Sequence, residues 1–225
     1  MLLQTLEAPL LGATCCLLVD DSGHVAVVDA GGGVAERVVK LVEERGWTPV
    51  AVLATHGHVD HTWDAGALCR AWDVPLHVHE ADAYRLADPY GTLGPLGPQL
   101  RDMAGLPACL EPPRVATFVA APGQTVLLDL GVDEPVEALH LPGHTEGSTG
   151  FLVDVDGSAT ALTGDVLFAG TVGRTDLPGG DGAAMSASLH RLGQLPGSTV
   201  IVPGHGPRST IAAELRTNPY LRSVR

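Results

Sequence analysis

Lysine is almost missing from the 225-residue chain: Lys40 stands alone, and 13 basic residues face 26 acidic ones for a net charge of −13. A surface of that sign repels phosphate backbones, so nucleic acid is not an expected substrate or partner. Cysteine is scarce as well. Cys15, Cys16, Cys69 and Cys109 show no C-x-x-C spacing and two of them are adjacent, which excludes a disulfide framework and a thiolate metal site. They read as buried free thiols in a reducing cytosol. No apolar run approaches the ~20 residues of a membrane span. The N-terminal leucines are interrupted by Glu7 and Pro9 and follow no basic segment, so neither a membrane anchor nor a signal peptide is expected, and the protein is expected to be cytoplasmic. Phosphate-loop patterns (G-x-x-x-x-G-K-[ST], G-x-G-x-x-G) and the G-x-S-x-G elbow are absent too. With 45% hydrophobic and 17% charged residues, the chain suits one globular domain with a sizeable core rather than a disordered segment.

What is present concentrates at one stretch, Thr55-His56-Gly57-His58-Val59-Asp60-His61. Three imidazoles and a carboxylate within six residues are the ligand set of zinc, iron or manganese, and the lack of thiolate points away from a closed structural zinc site. The apolar run Pro49–Ala54 before it reads as a buried strand, so these residues leave a strand end. Residues 62–72 after it carry helical spacing, which places Asp60 and His61 at a helix N-terminus. Ahead of this site, Thr14–Val19 and His24–Val28 flank Asp20-Asp21-Ser22-Gly23 as a hairpin, and Asp29 precedes a glycine turn and an amphipathic helix over Val34–Arg45. The turn would let Asp29 support the histidine loop. His77 and His79 share a face of a short strand at Leu76–Val78, where hydrogen-bonded or exposed histidines are commoner than a ligand pair.

The second half alternates in the same way, with strands expected at 125–128, 136–141, 151–155, 160–163 and 199–202 and a helix at 183–195. Three of those strands end in a ligand beside a glycine: Pro142-Gly143-His144, Gly164-Asp165 and Pro203-Gly204-His205-Gly206-Pro207. Glycine lets the backbone turn sharply and bring a ligand close. Residues 88–114 are rich in Gly, Pro and Leu without periodicity, which reads either as a lid insertion, with Tyr90, Leu93, Leu96 and Met103 walling a substrate, or as a loop packed on itself.

The pattern H-x-H-x-D-H at 56–61 followed by His144, Asp165 and His205 resembles the metallo-β-lactamase superfamily over nearly the whole chain. Leu162–Phe168, Gly173-Arg174-Thr175-Asp176-Leu177-Pro178 and Pro203–Thr210 with Asn218-Pro219-Tyr220 resemble, more narrowly, the short bacterial type II glyoxalases, which are hydroxyacylglutathione hydrolase-like. That resemblance implies an α+β fold, an αβ/βα four-layer sandwich with two central mixed sheets and helices outside, in a single domain. It implies two divalent metal ions, zinc first and iron or manganese as alternatives. His56, His58 and His144 would hold one, Asp60, His61 and His205 the other, and Asp165 would bridge them. Two such ions ~4 Å apart activate a water and polarise the carbonyl it attacks. Asp60 fits a double role as ligand and proton acceptor. The expected reaction is hydrolysis of a small hydroxyacyl thioester such as S-lactoylglutathione. Alternatives on the same fold are a persulfide dioxygenase with one iron on His56, His144 and Asp165, and a lactonase. Arg174 is a candidate substrate contact whose other reading is a structural pair with Asp176, and Tyr90 is a second candidate. The sequence carries no signal for oligomeric state.

Overall fold

The computed structural model describes residues 1–104 and 111–223. Its first sheet opens with β1 (Leu2–Glu7), β2 (Thr14–Val19) and β3 (His24–Val28), paired antiparallel in that order. Side chains alternate across a strand, and on β2 this separates the two adjacent cysteines. Cys15, Leu17 and Val19 join Val38 and Val42 in one core, while Cys16 and Leu18 join Phe151, Leu162 and Val202 in another. The helix after the glycine turn is α1 (Ala35–Arg45), with Val38 and Val42 as its buried stripe. Parallel strands β4 (Thr48–Leu53), β5 (Leu76–His79) and β6 (Val115–Phe118) complete the sheet.

The second sheet is built from β7 (Thr125–Leu128), β8 (Val136–His140), β9 (Thr149–Val155) and β10 (Ser158–Gly164), all antiparallel neighbours. A small ribbon of β11 (Leu167–Phe168) and β12 (Thr171–Val172) follows, and β13 (Val200–Pro203) then returns parallel to β10, with β14 (Ser209–Thr210) at the edge. Both sheets are therefore mixed. The core shared by Leu18, Val28, Leu53, Phe151, Leu162 and Val202 lies between them. Outside the first sheet pack α1 and α3 (Ala65–Trp72). Outside the second pack α5 (Gly182–Gly193), α6 (Ile211–Thr217) and α7 (Pro219–Ser223). This is the four-layer αβ/βα sandwich.

Two expectations are corrected in detail. The helix expected over residues 62–72 is split into one turn, α2 (Val59–Thr62), and α3, because Asp64 is taken elsewhere: its N–H donates to the Ala30 carbonyl and its carboxylate accepts the N–H of Ala35. Asp60 and His61 thus belong to a separate turn. The stretch 88–114 also has structure of its own, a 3-10 turn at Gly91–Leu93 and a helix α4 (Leu96–Ala104) whose leucines join Val59, Trp63 and Leu93 in a small core. Gly94, Pro95, Gly97 and Pro98 hide the 93/96/100 spacing in the sequence, and Pro98 is tolerated because it lies in the first turn. The Met103 side chain and Cys109 lie outside the described residues.

Candidate metal centre

Four strand ends converge on one point. β4 runs into Thr55-His56-Gly57-His58, β8 into the turn holding His144, β10 ends at Gly164-Asp165, and β13 ends at Pro203-Gly204-His205. The last two turns touch, since the Gly204 N–H donates to the Gly164 carbonyl. A Cβ at position 204 would lie 2.3 Å from Asp165 Oδ1 and 2.7 Å from His61 Cε1, so only glycine admits this approach.

The seven residues singled out from the sequence come together. His56, His58 and His144 present ligand atoms within 4.8 Å of one another, as do His56, His61 and Asp165, and Asp60, His61 and His205. Asp165 stands between the groups, with Oδ1 3.3 Å from His61 Nε2 and Oδ2 3.7 Å from His144 Nε2 and 3.8 Å from His205 Nε2. Asp60 Oδ2 is 3.3 Å from His205 Nε2. A fourth grouping, Asp20, His24 and Asp133, ties the β2–β3 hairpin to the connection between β7 and β8: Asp20 accepts from the His24 N–H and ring and from the Asp133 N–H.

Second contacts fix the imidazoles. His144 donates Nδ1–H to the Arg174 carbonyl (2.8 Å), His205 donates Nδ1–H to the Gly12 carbonyl (3.2 Å), and His61 Nδ1 meets Asp29 Oδ2 at 2.9 Å. Those partners assign the tautomer and leave the Nε2 lone pairs pointing inward. Asp29 is itself held by the Thr55 N–H and hydroxyl, as its place ahead of the glycine turn implied. His61 Nε2 and His205 Nε2 then face each other at 3.3 Å, and His144 Nε2 lies 2.9 Å from His58 Nδ1, which in turn lies 3.1 Å from His56 Nε2. Lone pairs gathered this way beside two carboxylates repel unless a cation lies among them. The donor set fits divalent metal.

The protonation of His56, His58, Asp60 and Asp165 agrees. Burial, reinforced by neighbouring imidazoles, holds His56 well below the usual histidine value and His58 at about 3, the neutral form a metal ligand needs. Burial works against ionised Asp60 and Asp165, but the imidazoles around them, His61 foremost, outweigh it and hold both carboxyls low. The same carboxylates raise His61 against its own burial, and the Asp60 hydrogen bond raises His205.

Sequence reasoning missed Asp82 and Arg85, both fully buried on the 3-10 turn Glu80–Leu86. Asp82 accepts from the Gly57 N–H (2.8 Å) and Thr145 hydroxyl (2.7 Å) with one oxygen, and from the Gly147 N–H (2.9 Å) and Arg85 Nε (3.2 Å) with the other. It ties the His56/His58 loop to the His144 loop. A Cβ on Gly57 would strike Arg85 at 2.9 Å. Nothing in the spacing of Glu80-Ala81-Asp82 marks this role, since a lone Asp in a polar segment ordinarily faces water. His77 and His79 form no metal-ligating group among the described residues; His79 stacks on His140 with ring centroids 3.9 Å apart.

A cavity of about 220 Å³ opens on the cluster, lined by His58, Asp60, His144, Asp165 and Arg174 and by apolar side chains. Larger hollows of about 500, 470 and 390 Å³ include none of the clustered residues. Arg174 forks onto Asp176 through Nε (2.7 Å) and Nη2 (2.8 Å). Tyr90 packs edge-on against Trp63, 5.9 Å between centroids, and is not among the residues lining the cavity. No helix among the described residues is long and apolar enough to cross a membrane.

The metallo-beta-lactamase superfamily profile matches residues 10–205. Hydroxyacylglutathione hydrolase GloC of Haemophilus influenzae is 36% identical over 213 residues, which cover 93% of this chain and 92% of that one. Among solved structures, the BLEG-1 B3 metallo-beta-lactamase superposes with a TM-score of 0.84 at 29% identity, covering 98% of this chain and 99% of its own. TTHA1623 in a di-iron-bound form superposes with a TM-score of 0.77 at 33% identity, covering 98% and 100%. With the matched segment running from the β1–β2 turn to the last histidine of the cluster, the chain belongs to the metallo-β-lactamase superfamily and is a metallo-hydrolase.

Proposed function

We propose that the chain hydrolyses small acyl thioesters, S-lactoylglutathione or a related hydroxyacyl thioester among them. The observation that carries this reading is the second ligand group, Asp60, His61 and His205, complete and linked through Asp165 to the group of His56, His58 and His144. His56, His58 and His144 would hold one divalent ion and Asp60, His61 and His205 the other, with Asp165 between. Zinc suits the all-nitrogen and carboxylate donors, and the di-iron form of TTHA1623 supports iron as the alternative. Such ions supply a Lewis acid for the carbonyl oxygen and an acidified water.

Asp60 lines the cavity and is held ionised, so it is placed to take the proton of the attacking water. That water's oxygen bonds to the carbonyl carbon, the C–S bond breaks, and the thiolate leaves without needing a strong acid. Gly57 and His58, braced through Asp82, keep the ligand loop from shifting during this exchange. The likeness to GloC supports the thioester class, and Leu93, Leu96 and Leu100 lining the cavity support a lid role for the segment 88–104. A small-molecule substrate fits both the cavity and the acidic surface.

The test is aerobic turnover of S-lactoylglutathione by protein loaded with zinc or with iron, followed through loss of thioester absorbance. Hydrolysis that His56→Ala and Asp165→Ala each reduce at least about 10³-fold is the expected result. Oxygen uptake with glutathione persulfide, or lactone hydrolysis without thioester turnover, would overturn it.

A further inference from the structure

The cavity beside the cluster has two unlike sides. Its polar residues gather at the metal-ligating pole, and the rest of its wall is Val59 and leucine: Leu11 from the β1–β2 turn, Leu93 from the 3-10 turn, Leu96 and Leu100 from α4, and Leu177 from the loop before α5. Four separate segments thus each deliver leucine to one concavity. Core formation accounts for Leu93, which is 4% exposed, but not for Leu11, which is 45% exposed. Leu11 is also held at φ +66°, the left-handed region that side chains rarely adopt and glycine takes freely. A strained, exposed leucine at the mouth of a cavity is a poor choice for stability, and conformations of this kind persist where function uses them.

The wall offers nothing to a polyanionic carrier. Arg174 is the single cation among the lining residues, and its guanidinium is already engaged by Asp176 through two hydrogen bonds. The remaining charges at the cavity are carboxylates. We infer that this wall seats an apolar acyl chain, so that the substrates are short- to medium-chain acyl thioesters, with Leu11 a specificity-determining residue. The inference rests on the thioesterase reading. A volume of about 220 Å³ equals roughly seven waters at ~30 Å³ each, which accommodates the carbonyl group and an alkyl chain of about five further carbons.

The experiment uses N-acetylcysteamine thioesters from acetyl to octanoyl with the zinc-loaded protein. Each methylene buried is expected to raise kcat/KM about fourfold, the fold-change of ~0.8 kcal/mol, up to a plateau near six carbons. Leu11→Gly relieves the backbone conformation, so its Tm stays at or above that of the wild type, while its loss in kcat/KM grows with chain length to about tenfold on hexanoyl. A merely structural Leu11 would instead lower Tm and affect every acyl length alike, and that result, or a flat or falling profile in the wild type, overturns the inference. Alkyl methyl ketones of the same lengths, titrated calorimetrically, report on the wall without the chemistry. If no thioester is turned over yet ketone affinity climbs with length and with a negative heat-capacity change, the thioesterase reading falls and the apolar wall stands. Ketone affinity independent of length overturns the wall itself.

Discussion

Replacing Asp82 by Asn tests whether the metal loops are set by a residue that touches no metal. The carboxylate is fully buried and accepts four hydrogen bonds, from Gly57, Thr145, Gly147 and Arg85. An amide can keep only one oxygen, and its NH2 group must face donors on one side. The less costly orientation turns it toward Gly57 and Thr145, because the Thr145 hydroxyl can donate instead to Ser148 Oγ, 2.8 Å away. The Gly57 N–H is then buried without an acceptor, which costs ~1–3 kcal/mol, and Arg85 loses a charged acceptor for ~1.5–3 kcal/mol more. Arg85 retains Glu146 and the Pro178 carbonyl, which caps the loss. The expected destabilisation is about 4 kcal/mol, a drop in Tm of roughly 8–16 °C for a chain of this size. Since Gly57 sits between His56 and His58, and Thr145 follows His144, zinc affinity should fall about 10- to 100-fold. Thermal unfolding by circular dichroism gives the first number and competition with a chromophoric chelator the second. A variant that melts within 3 °C of wild type and binds zinc within threefold would refute the assignment.

Cys15, Cys16 and Cys69 should stay silent toward a thiol reagent in the native protein and react on unfolding, since burial pushes all three thiols up, Cys69 to about 12. Fast native labelling of any of the three, mapped by mass spectrometry, would contradict the layering of β2. At the hairpin, burial tends to raise the Asp20 carboxyl, but hydrogen bonds from Asp133 and His24 outweigh it and hold the value below the usual range. A lowered carboxyl contributes stability above its unfolded value, near 3.9, and loses it as pH falls through the folded one. The difference in Tm between wild type and Asp20→Asn should therefore be full at pH 6 and shrink below about pH 4. A difference that is constant from pH 6 to pH 2.5 would exclude the linkage.

Ligands that leave strand ends beside glycine were legible because chemistry and turn geometry demand the same residues. His56, His58, Asp60 and His61 declare themselves by density, and His144, Asp165 and His205 by repeating one local pattern after three different strands. The interior strands were legible for a similar reason, since runs such as Leu17-Leu18-Val19 and Val25–Val28 are buried on both faces. What stayed hidden depends on partners distant in sequence. β1 is an edge strand with half-buried side chains, and nothing local distinguishes it from a loop. Its register is set only by pairing with β2. Helix α4 is masked by the prolines and glycines at its start. Asp82 and Arg85 look solvated until the turns after β4 and β8 fold over them.

That dependence has a consequence for how the site is assembled. His56, His58, Asp60 and His61 come from the first sheet, and His144, Asp165 and His205 from the second, so every ligand group spans the seam between the sheets or leans on a residue across it. The inter-sheet core brings the two sets within reach, but it also presses ring nitrogens from opposite sheets together, His58 on His144 at 2.9 Å and His61 on His205 at 3.3 Å. A bound metal ion would offset that repulsion only once both sheets are docked, which would make its binding free energy a part of inter-sheet stability. Direct ties across the seam include the Asp133 N–H on Asp20, away from the ligand loops, but the Gly204 carbonyl accepting the Thr14 N–H and the Thr55 carbonyl accepting the Thr149 N–H lie beside the ligands. Together with the Asp82 bridge they hold the two halves in register at the one edge where a sub-ångström shift would undo the ligand geometry.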